Sequence, residues 1–188
     1  MIKLLYGFSL NFHMQITVSG TPGSGKSTVA KLVAKRLGYK YYSIGGLRRE
    51  AAKKRGLSIL EFNRLKEDTD KEFDDFQKKL GQKDNFVVDG RLSFHFIPKS
   101  VKFDFTCDIR VGAERIFKDQ RGSEKRYESV EKASEGIKKR MENDKARYMA
   151  RYGINPFDEK HYDYVIDTTK ITVEQVVDEV MKKLEASK

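Results

Sequence analysis

Gly20-Thr21-Pro22-Gly23-Ser24-Gly25-Lys26-Ser27 has the spacing G-x-x-x-x-G-K-[ST], and its flanks suit the motif as well as its letters do. The apolar run Met14–Val18 before it has the length of a buried strand. After it, Val29, Leu32, Val33 and Leu37 recur at helical spacing, and Gly38 supplies a stop. Glycines let successive backbone N–H groups curl around phosphate oxygens, and the helix N-terminus adds its partial positive charge. The set expected to hold a nucleoside triphosphate is Gly20, Thr21, Pro22, Gly23, Ser24, Gly25, Lys26, Ser27 and Thr28. Within it, Lys26 would reach the β- and γ-phosphates, and the Ser27 hydroxyl would ligate Mg²⁺. Switches, ATPases, helicases and small-molecule kinases share such a loop, so it predicts a ligand and no particular reaction.

Working outward, further apolar strand candidates fall at Tyr39–Tyr42, Phe86–Val88, Phe103–Cys107 and Tyr164–Ile166, alternating with helical stretches. The alternation predicts an α/β fold, a parallel sheet covered by helices on both faces. Residues 46–82 read as a helical excursion bearing Leu57, Leu60, Phe62, Leu65, Phe73, Phe76 and Leu80, and residues 119–139 read as a densely charged, mobile flap. The last helix opens on Thr172-Val173-Glu174-Gln175, a capping-box pattern. Residues 1–13 read as an N-terminal extension and 14–188 as one domain.

Composition limits the function. The 188 residues carry 38 Lys+Arg against 28 Asp+Glu, a formal net charge of +10, so an anionic partner or substrate is expected. No apolar run approaches the roughly 20 residues a membrane-spanning helix needs. A lone cysteine, Cys107, rules out an internal disulfide and favours a reducing compartment such as the cytoplasm. His13, His95 and His161 lack metal-ligand spacing. No zinc finger, RNP box or basic zipper accompanies the charge, which argues against nucleic acid as the partner. An N-K-x-D guanine motif is also missing, which argues against a switch GTPase.

Arginines decorate the expected ligand edge. Ser43-Ile44-Gly45-Gly46-Leu47-Arg48-Arg49 follows the second strand and Asp89-Gly90-Arg91-Leu92 the third, and Arg115 lies on the helix after the fourth. Arg140, Asp144, Arg147 and Arg151 fall at i, i+4, i+7 and i+11, on one helix face. Phosphoryl transfer between phosphates is mostly positioning and charge neutralisation, which the fixed donor fork of arginine suits.

With these residues in place the chain resembles the nucleoside monophosphate kinases, and more closely the cytidylate kinases in their compact archaeal-type form. The resemblance is carried, in order, by VSGTPGSGKSTVAK, SIGGLRREA, VVDGRLS, AERI, RMENDKARYMARYGI and YDYVIDTT. It implies a P-loop three-layer α/β/α sandwich with a five-stranded parallel sheet, a monophosphate-binding segment near 43–82 and a lid near 119–139. The implied reaction is ATP plus CMP or dCMP giving ADP plus CDP or dCDP, with Mg²⁺, by a monomer. Arg49 and Arg91 resemble the arginines that hold the acceptor phosphate, and Arg115 the one lying against the adenine or phosphates of ATP. Arg140, Asp144 and Arg147 match R-x-x-x-D-x-x-R, in which the arginines bridge phosphates and the aspartate holds a ribose or a partner arginine. Asp89 would order the Mg²⁺ shell through water. The acceptor phosphate is already an ionised nucleophile, so no side-chain base is required.

The departures matter too. Gly46 stands where adenylate kinases usually have Asp, and Arg91-Leu92 replaces their Phe-Pro-Arg. Bacterial cytidylate kinases have a base-reading Asp where this chain has Leu92, so the base must be read from elsewhere. Asp70 and Asp74 are candidates because a carboxylate is the natural acceptor for the cytosine N4 amine. The competing reading is a solvated face with helical pairs to Lys66 and Lys71. Phe62 is a candidate to flank the base, and Arg121 to replace the arginine that relatives carry where Asp119 stands here. Two alternatives remain: a kinase for UMP, AMP or another small acceptor, and a basic nucleic-acid-binding P-loop protein.

Overall fold

Ile16 and Val18 lie on one face of the central strand, Thr17 and Ser19 on the other, and all four are at most 3% exposed. A strand buried on both faces belongs in the middle of a parallel sheet. A computed structural model, describing residues 13–63, 65, 68–119 and 126–187, bears this out. The five strands are β1 (Gln15–Gly20), β2 (Lys40–Ser43), β3 (Phe86–Asp89), β4 (Val101–Thr106) and β5 (Tyr164–Asp167), in the order β2-β3-β1-β4-β5 and all parallel. Helices α1 (Lys26–Leu37), α2 (Ile44–Lys54), α3 (Ile59–Phe62), α4 (Thr69–Leu80), α5 (Ser93–Phe96), α6 (Ile109–Lys118), α7 (Val130–Tyr152) and α8 (Val173–Ala186) connect and follow them.

Apolar faces decide the layers. Val29, Ala30 and Val33 of α1 and Val176, Val177, Val180 and Leu184 of α8 pack with Ile16, Val18 and Phe105 on one side of the sheet. On the other, Ile44, Ala52, Phe62, Phe73, Leu80, Phe94 and Phe96 enclose Phe86 and Val88. Gly38 stops α1 in the left-handed region (φ 70°), and Thr172 and Gln175 form the expected capping box on α8.

Two expectations are corrected in detail. The 46–82 excursion is three helices, because Gly56 at φ 68° ends the turn after α2 and Ser58 opens α3 with its own capping box to Glu61. The second half of the expected flap, residues 130–139, is the beginning of the 23-residue α7, whose Ala133 and Ile137 are buried against Ala113 of α6. Apolar residues at helical spacing amid dense charge make this a packed amphipathic start rather than a free loop. Residues 120–125, Arg121 among them, residues 1–12 and Lys66 lie outside the described residues.

The sheet order reverses across β1, whose neighbours are β3 and β4, and ligands of open α/β sheets sit in the crevice at such a point. The phosphate loop leaves β1 into that crevice and is gripped from behind by α6. A Cβ on Gly23 (φ 84°) would come within 2.4 Å of the Gly112 backbone, and one on Gly112 within 2.8 Å of the Pro22 carbonyl oxygen. Gly23→Ala is therefore expected to destabilise by about 2–5 kcal/mol, the sum of the left-handed penalty and overpacking, read as a lowered urea midpoint. Gly112→Ala keeps ordinary helical dihedrals and should lose about 1–3 kcal/mol.

Candidate active site

The phosphate loop is shaped by its own backbone. Gly20, Gly23 and Gly25 hold φ values of 156°, 84° and 80°, and the Thr21 amide donates to the Phe105 carbonyl at 3.0 Å. No side chain caps α1, so its first turn is left as an anion-binding terminus. The Thr21 and Ser24 hydroxyl oxygens are buried and unpartnered, which fits a loop built to surround a ligand with more hydrogen-bonding atoms than it has.

Asp89 ends β3 at 3% exposure and accepts a 2.7 Å hydrogen bond from the Tyr41 hydroxyl. The Ser27 hydroxyl lies close enough to pull weakly on the same phenol, so Tyr41 sits near both expected Mg²⁺-binding residues. Burial, then the Asp89 charge, pushes that phenol well above its usual range, so it stays a donor. One hydroxyl and one carboxylate suit Mg²⁺, which keeps waters and phosphate oxygens in its octahedron.

Arg91, its side chain 9% exposed, is the hub. Its Nη1 donates to the Gly20 carbonyl, and its Nε and Nη2 meet Asp144 Oδ2 at 3.1 and 3.0 Å. The guanidinium also lies 5.0 Å over the Phe157 ring. A second carboxylate on arginine sits across from it. Asp70 Oδ1 accepts from Arg48 Nη1 at 2.5 Å and from Arg147 Nη1 at 3.2 Å, and Arg151 Nε lies 4.0 Å from Oδ2. Asp74 Oδ2 accepts from the Tyr152 hydroxyl at 2.7 Å, and burial raises the Asp74 carboxyl above its ordinary range. Arg48, Asp70, Asp74, Gln77 and Arg91 line one cavity of about 40 Å³, room for a few waters.

The expected residues are thus brought together unevenly. The loop, Asp89, Arg91, Asp144, Arg147, Asp70 and Asp74 converge on the crevice. Arg49 lies one position round α2, beside Gly45, and its neighbour Arg48 takes the place in the cavity wall. Arg140 is exposed near the middle of α7. Arg115 is engaged by the protein itself, donating to the Gly23 carbonyl at 3.3 Å and to the Thr168 carbonyl at 2.7 Å, which ties the phosphate loop to the turn after β5. Phe62 is fully buried beneath Arg48 and belongs to the core, not to the base's surroundings. Among the described residues the acidic pair's partners are the α2 and α7 arginines and Tyr152.

Sequence reading passed over Arg48, Tyr41, Gln77 and Asp104. The last is an acid between Phe103 and Phe105, a conspicuous interruption of an apolar strand. It is 4% exposed, opposite Ser19 in the β1–β4 register. Burial raises its carboxyl to about 6, against the pull of Arg91, Ser19 and Lys26 and with a push from Glu159.

Strand order, phosphate loop and arginine-lined crevice define a P-loop kinase, an ATP-binding phosphotransferase. The sequence matches the cytidylate kinase-like family over residues 15–170, and the chain belongs to that family. It is similar to the cytidylate kinase of Methanobrevibacter smithii, 33% identical and covering 91% of this chain and 98% of that one. It is likewise similar to the cytidylate kinase of Archaeoglobus fulgidus, at 34% identity over 93% of this chain and 97% of that one. In fold it resembles shikimate kinase from Bacteroides thetaiotaomicron, with a TM-score of 0.64 at 13% identity over 93% and 99% of the two chains. No helix among the described residues is long and apolar enough to cross a membrane.

The raised Asp104 value has a sign that can be measured. A carboxyl bound more tightly to its proton in the fold than in the unfolded chain stabilises at low pH, and that contribution is lost as pH rises. From the ordinary 3.8 to about 6 this is roughly 3 kcal/mol, gone above about pH 6. Asp104→Asn should therefore unfold at higher urea than the parent at pH 7. The difference between the two proteins should shrink as pH falls from about 6 to 4.

Proposed function

We propose that this protein is an ATP-dependent cytidylate kinase that transfers the γ-phosphoryl group of ATP to CMP or dCMP as a monomer in the cytoplasm. The observation that carries the reading is the pair of guanidinia of Arg91 and Arg147, each holding an internal carboxylate, Asp144 and Asp70, with Arg91 also bound to the phosphate loop at Gly20. A phosphate dianion is a stronger partner for the same donors, so the acceptor phosphate exchanges for a carboxylate rather than meeting bare charge.

In this reading Gly20 to Thr28 cradle the triphosphate and Lys26 binds the oxygens of the transferring group. Ser27, and Asp89 through water, would hold Mg²⁺, which would supply charge neutralisation on the phosphates. Arg91 and Arg147 orient the acceptor phosphate in line, with Arg49 and Arg140 completing the charge as the enzyme closes. Asp144 fixes Arg91 until the acceptor phosphate takes over its donors, and Arg115 keeps the loop and the nucleotide's outer wall together. Asp70 and Asp74 face the acceptor's nucleoside. The acceptor attacks as an ionised oxygen and no proton need be removed from it. Closure of the lid region, in which the packed start of α7 moves as one body with α6, excludes water, so ATP is not hydrolysed in place of transfer.

A steady-state panel of CMP, dCMP, UMP, AMP and GMP with Mg·ATP tests the substrate. The highest kcat/KM is expected for CMP or dCMP, and equal values for AMP and CMP overturn the assignment. Lys26→Ala and Arg91→Ala should each lower kcat by about 10²-fold or more, the worth of one transition-state charge contact.

A further inference from the structure

The cavity between α4, α5 and α7 contains a side-chain amide whose orientation the fold has fixed. Gln77 is 4% exposed. Its Nε2 donates to the Phe73 carbonyl at 3.2 Å, and its Oε1 accepts from the Ser93 hydroxyl at 2.7 Å. A carbonyl can only accept, so the nitrogen must lie on the Phe73 side and the oxygen on the Ser93 side. Ser93 is itself 0% exposed and does not turn away. A carboxamide has two N–H groups, and the second finds no partner among the described residues although Gln77 lines the cavity. Asp74 precedes Gln77 by three residues and lines the same cavity, so the two side chains are neighbours on one face of α4. Tyr152 occupies Asp74 Oδ2, and Oδ1 receives no hydrogen bond among the described residues. Asp70, by contrast, is held by Arg48 and Arg147.

We propose that Asp74 and Gln77 together read the Watson–Crick edge of the acceptor base, with Ser93 as the positioning residue that sets the amide. Asp74 accepts from an exocyclic amine, and Gln77 donates to the ring nitrogen beside it. Cytosine presents that order, an N4 amine next to an unprotonated N3. Uracil presents the reverse, a carbonyl oxygen next to an N–H, and would set oxygen against carboxylate and N–H against N–H. Adenine shares cytosine's order of donor and acceptor, so its exclusion falls to size, in a cavity walled by Phe73, Phe96 and Tyr148. A buried polar pair left mismatched discriminates far more strongly than an apolar wall does.

The inference rests on the cytidylate reading and is separable from it. CMP and UMP kinetics would be compared for the parent, Gln77→Glu, the double variant Asp74→Asn/Gln77→Glu, and Ser93→Ala, with the KM for ATP checking each fold. Gln77→Glu is expected to lower the CMP:UMP ratio of kcat/KM at least 10-fold. The double variant, with donor and acceptor exchanged, is expected to move it by about 10²-fold and to prefer UMP. Ser93→Ala, the mildest change, is expected to lower the ratio several-fold through KM for CMP while KM for ATP holds. If Gln77→Glu or the double variant does not fold, Ser93→Ala decides alone. A ratio unchanged in Ser93→Ala, or CMP and UMP activities falling by one common factor in every folded variant, overturns the proposal. A parent enzyme that phosphorylates neither pyrimidine overturns the cytidylate reading instead.

Discussion

The guanidinium of Arg91 is tied to the Gly20 carbonyl at the mouth of the phosphate loop and to the Asp144 carboxylate on α7, in a place almost closed to water. Three parts of the chain far apart in sequence meet on that one planar group: the end of β3, the loop after β1, and the long helix after β5's neighbour β4. Charge-assisted bonds of this kind are strong where water is scarce, and removing one partner leaves the other charged and buried. The same group therefore holds the crevice in shape and supplies its positive charge. The acceptor side repeats the arrangement with Asp70, Arg48 and Arg147.

That arrangement changes the meaning of the net charge of +10. An excess of cations suggests arginines waiting for phosphate. In the structure the two deepest of these arginines are already engaged, Arg91 by Asp144 and Arg48 by Asp70, a carboxylate that Arg147 shares. The surplus therefore resides mostly in the solvent-facing lysines and arginines, where it draws anions toward the protein in general. Selectivity is left to the crevice, where a ligand must compete with carboxylates already in place.

Local features were legible in the sequence. The phosphate loop, the Gly38 stop and the Thr172–Gln175 capping box need only neighbours in the chain, and all three form as read. Asp70 was harder, because its partners lie 22 and 77 residues away and on different helices. The choice between Arg48 and Arg49 depended on which side of α2 faces the cavity, and one residue turns a helix by more than a quarter of a circle. Gln77 was readable in part: it follows Asp70 and Asp74 at i+7 and i+3, and only its uncharged side chain kept it from notice. Asp104 is a different case, since nothing in a local pattern says whether an acid inside an apolar strand is buried or turned to water.

Helix α7 runs unbroken for 23 residues, about 35 Å, with its first turns against α6 and its last against α4. Packed helices shift as units rather than bend continuously. A movement of α6, which touches the phosphate loop through Gly112, is thus delivered to Asp144 and Arg147 as a displacement of the same rod. Linkage makes such a connection reciprocal: whatever factor nucleotide on the loop applies to acceptor affinity, acceptor applies to the nucleotide. Any such cooperation would thus be carried by the length of one helix.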